Sequence, residues 1–125
     1  MIIIDTSTWI EYFTDSNNAD FIEEILNNKE TMTPIVVLLE LSCKSTKENW
    51  NFNEYLNFIK SKSSIIGTND KIIINCGKIY LEERRKKPSF SMIDATIWAI
   101  AQEHGAKILT KDNHFRDFEK VILLE

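Results

Sequence analysis

The sequence predicts an α/β fold: a three-layer α/β/α sandwich around a central, mostly parallel sheet of short strands. Three observations lead there. Short β-branched runs alternate along the chain with segments of helical periodicity, the pattern of strand–helix–strand crossovers packed on both faces of a sheet. Gly (3) and Pro (2) are too scarce in 125 residues for a turn-rich all-β domain. Hydrophobic residues at 43% and charged residues at 27% match a globular protein, which excludes disorder, coiled coil and collagen. A single domain over residues 1–125 is expected, without repeat, low-complexity tract or linker.

Each element has its own signal. Ile2-Ile3-Ile4 is a short β-branched run, read as a buried strand. Thr8 to Phe13 reads as helix, with Thr8 and Glu11 at capping-box spacing. Phe21, Ile22, Ile25 and Leu26 form the apolar stripe of a second helix over Asp20 to Leu26. Thr31 to Thr33 is a second short strand, and Pro34 suits the first turn of a helix running through Cys43. Trp50 to Lys60 is amphipathic. Ser64 to Ile66 is a strand closed by Gly67, and Asp70 to Lys87 is a long helix stopped by Pro88. Ser91 to His104 is a helix ended by Gly105 at its C′ position. Lys107 to Thr110 is a strand, Asn113 to Phe118 a helical turn, and Val121 to Leu124 a final strand.

Charge and cysteine usage narrow the function. Fifteen Lys and Arg against nineteen Asp and Glu leave a net charge of −4, which excludes a protein that coats nucleic acid by net charge alone. Cys43 and Cys76 lie in apolar contexts without a CxxC, as in a reduced, cytoplasmic protein. The opening Met1 to Ile4 meets Asp5 at once, too early for a signal-peptide core, and no apolar run approaches the ~18 residues of a membrane span.

Four acids stand at positions with chemical consequences. Asp5 directly follows the first strand, and Asp112 follows the Lys107–Thr110 strand by two residues. In a parallel sheet both reach the carboxyl edge, where the crevice of an open α/β fold lies. Glu40 is the lone acid of the apolar stretch Ile35 to Leu41, and Asp94 lies in the first turn of the helix beginning near Ser91. Each also has an ordinary explanation. Asp5 and Asp112 suit helix caps, Asp94 stands at capping-box spacing from Ser91, and Glu40 has room to snorkel at a helix end. Jointly, carboxylates converging on one crevice repel one another, and a hard divalent ion relieves that repulsion. Oxygen-only ligation by two or three of these carboxylates plus water suits Mg²⁺ or Mn²⁺. Ser7 and Thr110 are placed to orient the carboxylates or metal waters, and are equally ordinary as turn residues.

These residues carry a resemblance. Ile2-Ile3-Ile4-Asp5-Thr6-Ser7, Glu40 in its apolar helix, Ser91-Met92-Ile93-Asp94-Ala95 with Ala99 to Ala101, and Leu109-Thr110-Lys111-Asp112-Asn113-His114-Phe115 are, in that order, similar to the motifs of PIN-domain ribonucleases. The short chain most resembles the VapC-type toxins of toxin–antitoxin pairs. The resemblance implies a Mg²⁺- or Mn²⁺-dependent endoribonuclease that cleaves RNA, forms a homodimer and is held by a small antitoxin. It carries the acidic set onto Asp5, Glu40, Asp94 and Asp112, with Asp117 a peripheral acid or a solvated surface charge. The chain departs from the pattern after Glu40, where Leu41-Ser42-Cys43-Lys44 lacks a glycine, and in having Asn113 after Asp112.

The implied chemistry is metal-assisted phosphodiester hydrolysis. Without the four acids, fifteen carboxylates balance fifteen bases, so attraction for phosphate has to be local. Arg84-Arg85-Lys86-Lys87 is the obvious basic cluster, read either as an RNA contact or as a solvated helix end favoured by the dipole; Lys44, Lys47 and Lys111 are close to site acids in sequence. His104 and His114 lack metal-site spacing and are expected at the surface. A phospho-receiver domain would need an acidic pair after the first strand, and an aspartate-nucleophile phosphatase an Asp-x-Asp; this chain has Asp5-Thr6-Ser7. The remaining rival is a catalytically silent PIN-like module that acts only by binding protein or RNA.

Overall fold

A computed structural model describes residues 1–125. The elements in chain order are β1 (Ile2–Ile4), α1 (Thr6–Phe13), α2 (Ala19–Asn28), β2 (Thr31–Pro34), α3 (Ile35–Glu48), α4 (Phe52–Lys62), β3 (Ser64–Ile66), α5 (Asp70–Lys86), α6 (Met92–His104), β4 (Lys107–Thr110), a 3₁₀ turn (Asn113–Phe115) and β5 (Val121–Leu123). The strands form one sheet in the order β3-β2-β1-β4-β5, and all four pairings are parallel. Ile3 faces Met32 on one side and Ile108 on the other.

That order reverses its winding between β1 and β4. The chain first steps outward from β1 through β2 to β3, then returns through α5 and α6 to β4 on the other side of β1. Because crossovers between parallel strands are right-handed, the reversal sends the two sets of helices to opposite faces. Their contacts agree: α1 packs on α2 and α3, α3 on α4, and α5 on α6. No helix is long and apolar enough to cross a membrane.

A contiguous cluster of 24 buried apolar residues fills the interior. The middle strand β1 is buried throughout because the sheet is covered on both faces, which is why it reads as an unbroken run of isoleucines. Helix α6 is buried from Asp94 to Ala101, and the small Ala95, Ala99 and Ala101 let neighbours approach it closely. Trp9 is fully buried and donates through Nε1 to Thr33 Oγ1 at 3.2 Å, tying α1 to β2. Phe13 stacks on Tyr55, ring centroids 4.0 Å apart, and Tyr12 stacks on Phe58, closing the seam between α1 and α4.

Several boundaries differ from the sequence reading. Helix α1 begins at Thr6 behind Asp5, so the Thr8–Glu11 capping box does not form. Thr8 Oγ1 instead donates to the Leu109 carbonyl at 2.7 Å, a buried tie to β4. Pro34 closes β2 and occupies the N-cap of α3 rather than its first turn. Helix α3 continues to Glu48 and stops where Asn49 turns left-handed, φ 59°. The turn after Asp112 shortens to Asn113–Phe115.

Gly105 ends α6 with φ +59°, and an added Cβ would meet nothing closer than Lys120 Nζ at 4.0 Å. Its substitution therefore tests backbone conformation alone. Gly105→Ala is expected to lose about 1 kcal/mol in urea unfolding, and Gly105→Asn less, because Asn tolerates the left-handed region. Equal stability of all three proteins would contradict the left-handed cap.

Candidate functional site

The site is assembled at the carboxyl edge of the sheet, at the β1–β4 reversal. Asp5 leaves β1 with its N–H still bonded to the Leu109 carbonyl at 3.1 Å, so the strand pairing itself fixes where the side chain begins. Although Asp5 occupies the N-cap position of α1, its side chain makes no cap hydrogen bond. Its Oδ2 instead accepts from Thr110 Oγ1 at 2.7 Å and from Ser7 Oγ at 3.1 Å. Both hydroxyls are themselves pinned by the turn after β4: Ser7 Oγ accepts from the Lys111 N–H, and Thr110 Oγ1 from the Asp112 N–H, each at 2.9 Å. Ser7 and Thr110 thus orient Asp5 and tie it to the loop carrying Asp112.

Glu40 projects from α3 and is half-buried. Its Oε1 accepts from Thr6 Oγ1 at 2.5 Å, which joins α3 to the start of α1. Asp94, at the start of α6, is only 8% exposed. It completes a capping box in which its Oδ2 accepts from the Ser91 N–H at 2.9 Å while its own N–H donates to Ser91 Oγ at 3.1 Å. Asp112 caps the 3₁₀ turn through a 2.8 Å bond from the His114 N–H to its Oδ1. For Asp94 and Asp112 the ordinary capping roles are therefore present, and the capped oxygens, Asp94 Oδ2 and Asp112 Oδ1, are also the ones nearest the His114 ring.

His114, which the spacing placed at the surface, lies inside this group. Its Nδ1 is 2.9 Å from Asp94 Oδ2 and 3.3 Å from Asp112 Oδ1. One ligand atom from each of Asp94, Asp112 and His114 falls within 4.8 Å of the others. Asp5 and Glu40 stand outside that tight trio, close enough for its charges to act on them. The only local signal for His114 was its position two residues after Asp112; its other partner, Asp94, is 20 residues away in sequence.

The electrostatics follow from burial and crowding. Burial pushes the Asp5 carboxyl up from 3.8 to about 6, opposed by the Thr110 and Ser7 hydrogen bonds and assisted by the charge of Asp112. Glu40 is also raised, first by burial and then by the charges of Asp94 and Asp112, against the Thr6 hydrogen bond. Carboxyls raised by burial and by the neighbouring charges of Asp94 and Asp112 fit a divalent cation among them, and the oxygen donors with one imidazole nitrogen are a suitable donor set.

The basic cluster is largely spent within the fold. Arg84 donates to Tyr80 Oη and the Phe90 carbonyl, and Lys86 pairs with Glu83 at 3.7 Å. Lys87 Nζ reaches Glu83 at 3.1 Å, Asp117 at 3.2 Å and the His114 carbonyl at 2.8 Å. Asp117 is a surface partner of Lys87, 67% exposed. Lys111 is paired with Glu11 at 3.0 Å.

The family model for the PIN domain matches residues 2–121. Among solved structures, a toxin–antitoxin complex from Klebsiella pneumoniae superposes with TM-score 0.79 at 19% identity, over 98% of this chain and 96% of that one. VapBC2 from Rickettsia felis, bound to a DNA fragment from its promoter, gives 0.77 at 21% identity, over 99% and 98%. VapC20 from Mycobacterium tuberculosis, described as a sarcin–ricin loop cleaving toxin, gives 0.75 at 16%, over 97% of both chains. At these identities the likeness is one of fold. No curated protein sequence matches the chain.

The raised Asp5 makes a pH prediction. Between pH 3.8 and about 6 the folded chain holds a proton on Asp5 that the unfolded chain has lost, so stability falls as the pH rises through that window. The ionised carboxyl then costs about 3 kcal/mol near neutral pH. In EDTA, Asp5→Asn is expected to melt above the wild type at pH 7.5, with the difference closing toward pH 4. Thermal melts across that range check it; parallel pH profiles for the two proteins would refute the buried-carboxyl account.

Proposed function

Since the chain belongs to the PIN domain family, we propose that it is a divalent-metal-dependent endoribonuclease, the toxin of a type II toxin–antitoxin pair. The observation that carries this reading is the convergence of Asp5, Glu40, Asp94 and Asp112 at the reversal point of a parallel sheet, with Asp94 and Asp112 in one trio of ligand atoms. Asp94, Asp112 and Asp5 would hold Mg²⁺ or Mn²⁺. When bound, such an ion supplies a water of lowered pKa and charge to offset the phosphodiester oxygens.

The chain's own groups define the rest of the chemistry. Thr110 and Ser7 both donate to Oδ2 of Asp5 and so set the orientation of its carboxylate. Glu40, held by Thr6, is a half-buried carboxyl of raised pKa, suited to holding a proton or a water at the rim. Asp112 and His114 remain partly exposed, so the trio is reachable by a single-stranded RNA backbone. With Arg84, Lys86, Lys87 and Lys111 engaged by the fold and Lys44 paired with Glu48 at 3.5 Å, phosphate attraction falls to Lys47, two turns along α3 from Glu40, and to the exposed Arg85.

A toxin needs a restraining partner, and the structural neighbours include toxin–antitoxin complexes. Exposed Ile35 and Leu39 on α3 and Ile73, Ile74 and Leu81 on α5 supply apolar surface for an antitoxin and for a second copy of the chain.

The purified protein is expected to cleave RNA in Mg²⁺ or Mn²⁺ and to stop in EDTA. Asp5→Asn and Asp94→Asn should each lose at least about a hundredfold in rate while remaining folded. Absence of cleavage in either metal, with no new RNA ends after brief expression in cells, would leave the silent binding module as the reading. Light scattering is expected to give the mass of a dimer, and expression of the chain alone to arrest growth. A monomer at high concentration together with harmless expression would remove the toxin assignment.

A further inference from the structure

The metal reading above assigns only carboxylates, yet His114 shares the trio with Asp94 and Asp112. We propose that His114 is a nitrogen ligand of the metal centre through Nδ1, and that it biases the centre toward Mn²⁺ and later first-row ions over Mg²⁺. This rests on the proposed metal site and adds to it a donor of different chemistry.

The spacing is the first argument. Ligands at neighbouring corners of an octahedral ion with bonds of about 2.1 Å stand about 3 Å apart. Nδ1 lies 2.9 Å from Asp94 Oδ2 and 3.3 Å from Asp112 Oδ1, so the imidazole nitrogen already stands at the separation of an adjacent corner from each carboxylate oxygen.

The ring is also held at its far nitrogen and through its backbone. Nε2 is 2.8 Å from Ser89 Oγ. In the metal-free chain an Nδ1–H can donate to Asp94 Oδ2; with Nε2–H donating to the Ser89 hydroxyl instead, the Nδ1 lone pair faces the carboxylates, and a cation among them selects that tautomer. A second hydrogen-bonded partner on the far nitrogen is also what fixes the ring of a metal-binding histidine. The backbone is fixed as well: the His114 N–H donates to Asp112 Oδ1 at 2.8 Å, and Lys87 Nζ donates to the His114 carbonyl at 2.8 Å. Lys87 is itself anchored by Glu83 and lies over the rings of Phe90 and Trp98. His104, by contrast, ends α6 in the open.

An imidazole in an oxygen-rich site favours Mn²⁺, Co²⁺ or Ni²⁺ over Mg²⁺, which prefers oxygen alone. If His114 served only as a structural cap, its ring would leave the centre's choice of ion untouched.

The chain has two histidines, so isotope labelling reports on them cleanly. Full-length protein labelled with ¹⁵N-histidine and loaded with Mn²⁺ is expected to show a directly bound histidine nitrogen by pulsed EPR, retained in His104→Ala and lost in His114→Ala. Calorimetric titration with Mn²⁺ and with Mg²⁺ should show His114→Ala losing about ten- to a hundredfold in Mn²⁺ affinity, with a smaller change for Mg²⁺. His114→Asp should shift the preference toward Mg²⁺. Mn²⁺ bound by the wild type without nitrogen coupling would overturn the proposal and leave the metal-dependent nuclease standing. Failure of the wild type to bind either ion would bring down both. The labelled wild-type spectrum decides the matter even if the variants misfold.

Discussion

Where β1 and β4 lie side by side, two strands more than a hundred residues apart place Asp5 against Thr110 through a 2.7 Å hydrogen bond. The site depends on that contact. The Asp5 N–H continues the strand ladder to Leu109, and the Thr8 hydroxyl returns to the same carbonyl, so the start of α1 has little freedom to move away from β4. The Asp112 N–H binds the Thr110 hydroxyl that Asp5 accepts from, so one threonine side chain positions an acid from each strand. A parallel sheet that kept winding in one direction would not have opened a crevice there.

Charge is distributed in keeping with this polarity. Helices α1 and α6 begin at Asp5 and just before Asp94, and their N-terminal dipole ends ease the crowding of carboxylates. At the opposite edge, Lys29, Lys60 and Lys62 line one groove and Lys107 and Lys120 an adjacent one. Lys29 follows α2, Lys60 and Lys62 end α4, and Lys120 Nζ lies near the Gly105 cap of α6. Lysines at helix C-termini are the electrostatic counterpart of acids at N-termini. The net charge of −4 therefore conceals an acidic edge and a basic one.

The basic run before α6 has a mechanical role. Arg84 holds the Phe90 carbonyl, and Lys87, only 16% exposed, joins Glu83, Asp117 and the His114 carbonyl. These bonds lock the end of α5, the entry to α6 and the turn after β4 into one unit. Asp94 and Asp112 consequently face each other across His114 from segments that are already fixed, which is the preorganisation a metal centre requires.

Much of this was legible in local pattern. The four acids stood out as a set only through motifs spread from Ile2 to Phe115, whereas the strands, the six helices and the Ser91 and Gly105 caps of α6 follow from periodicity and turn chemistry. Those signals act within a few residues, so one sequence window contains them. What the tertiary structure decided was which partner each polar group chose. Asp5 turns from its own helix to a hydroxyl on β4, Thr8 abandons a local capping box for the Leu109 carbonyl, and the Arg84–Lys87 run binds the fold's own loops. His114 meets an aspartate on another helix. A hydrogen bond between distant segments is available only after the sheet order brings them together, and a buried polar group then takes whichever partner spares it the cost of going unpaired.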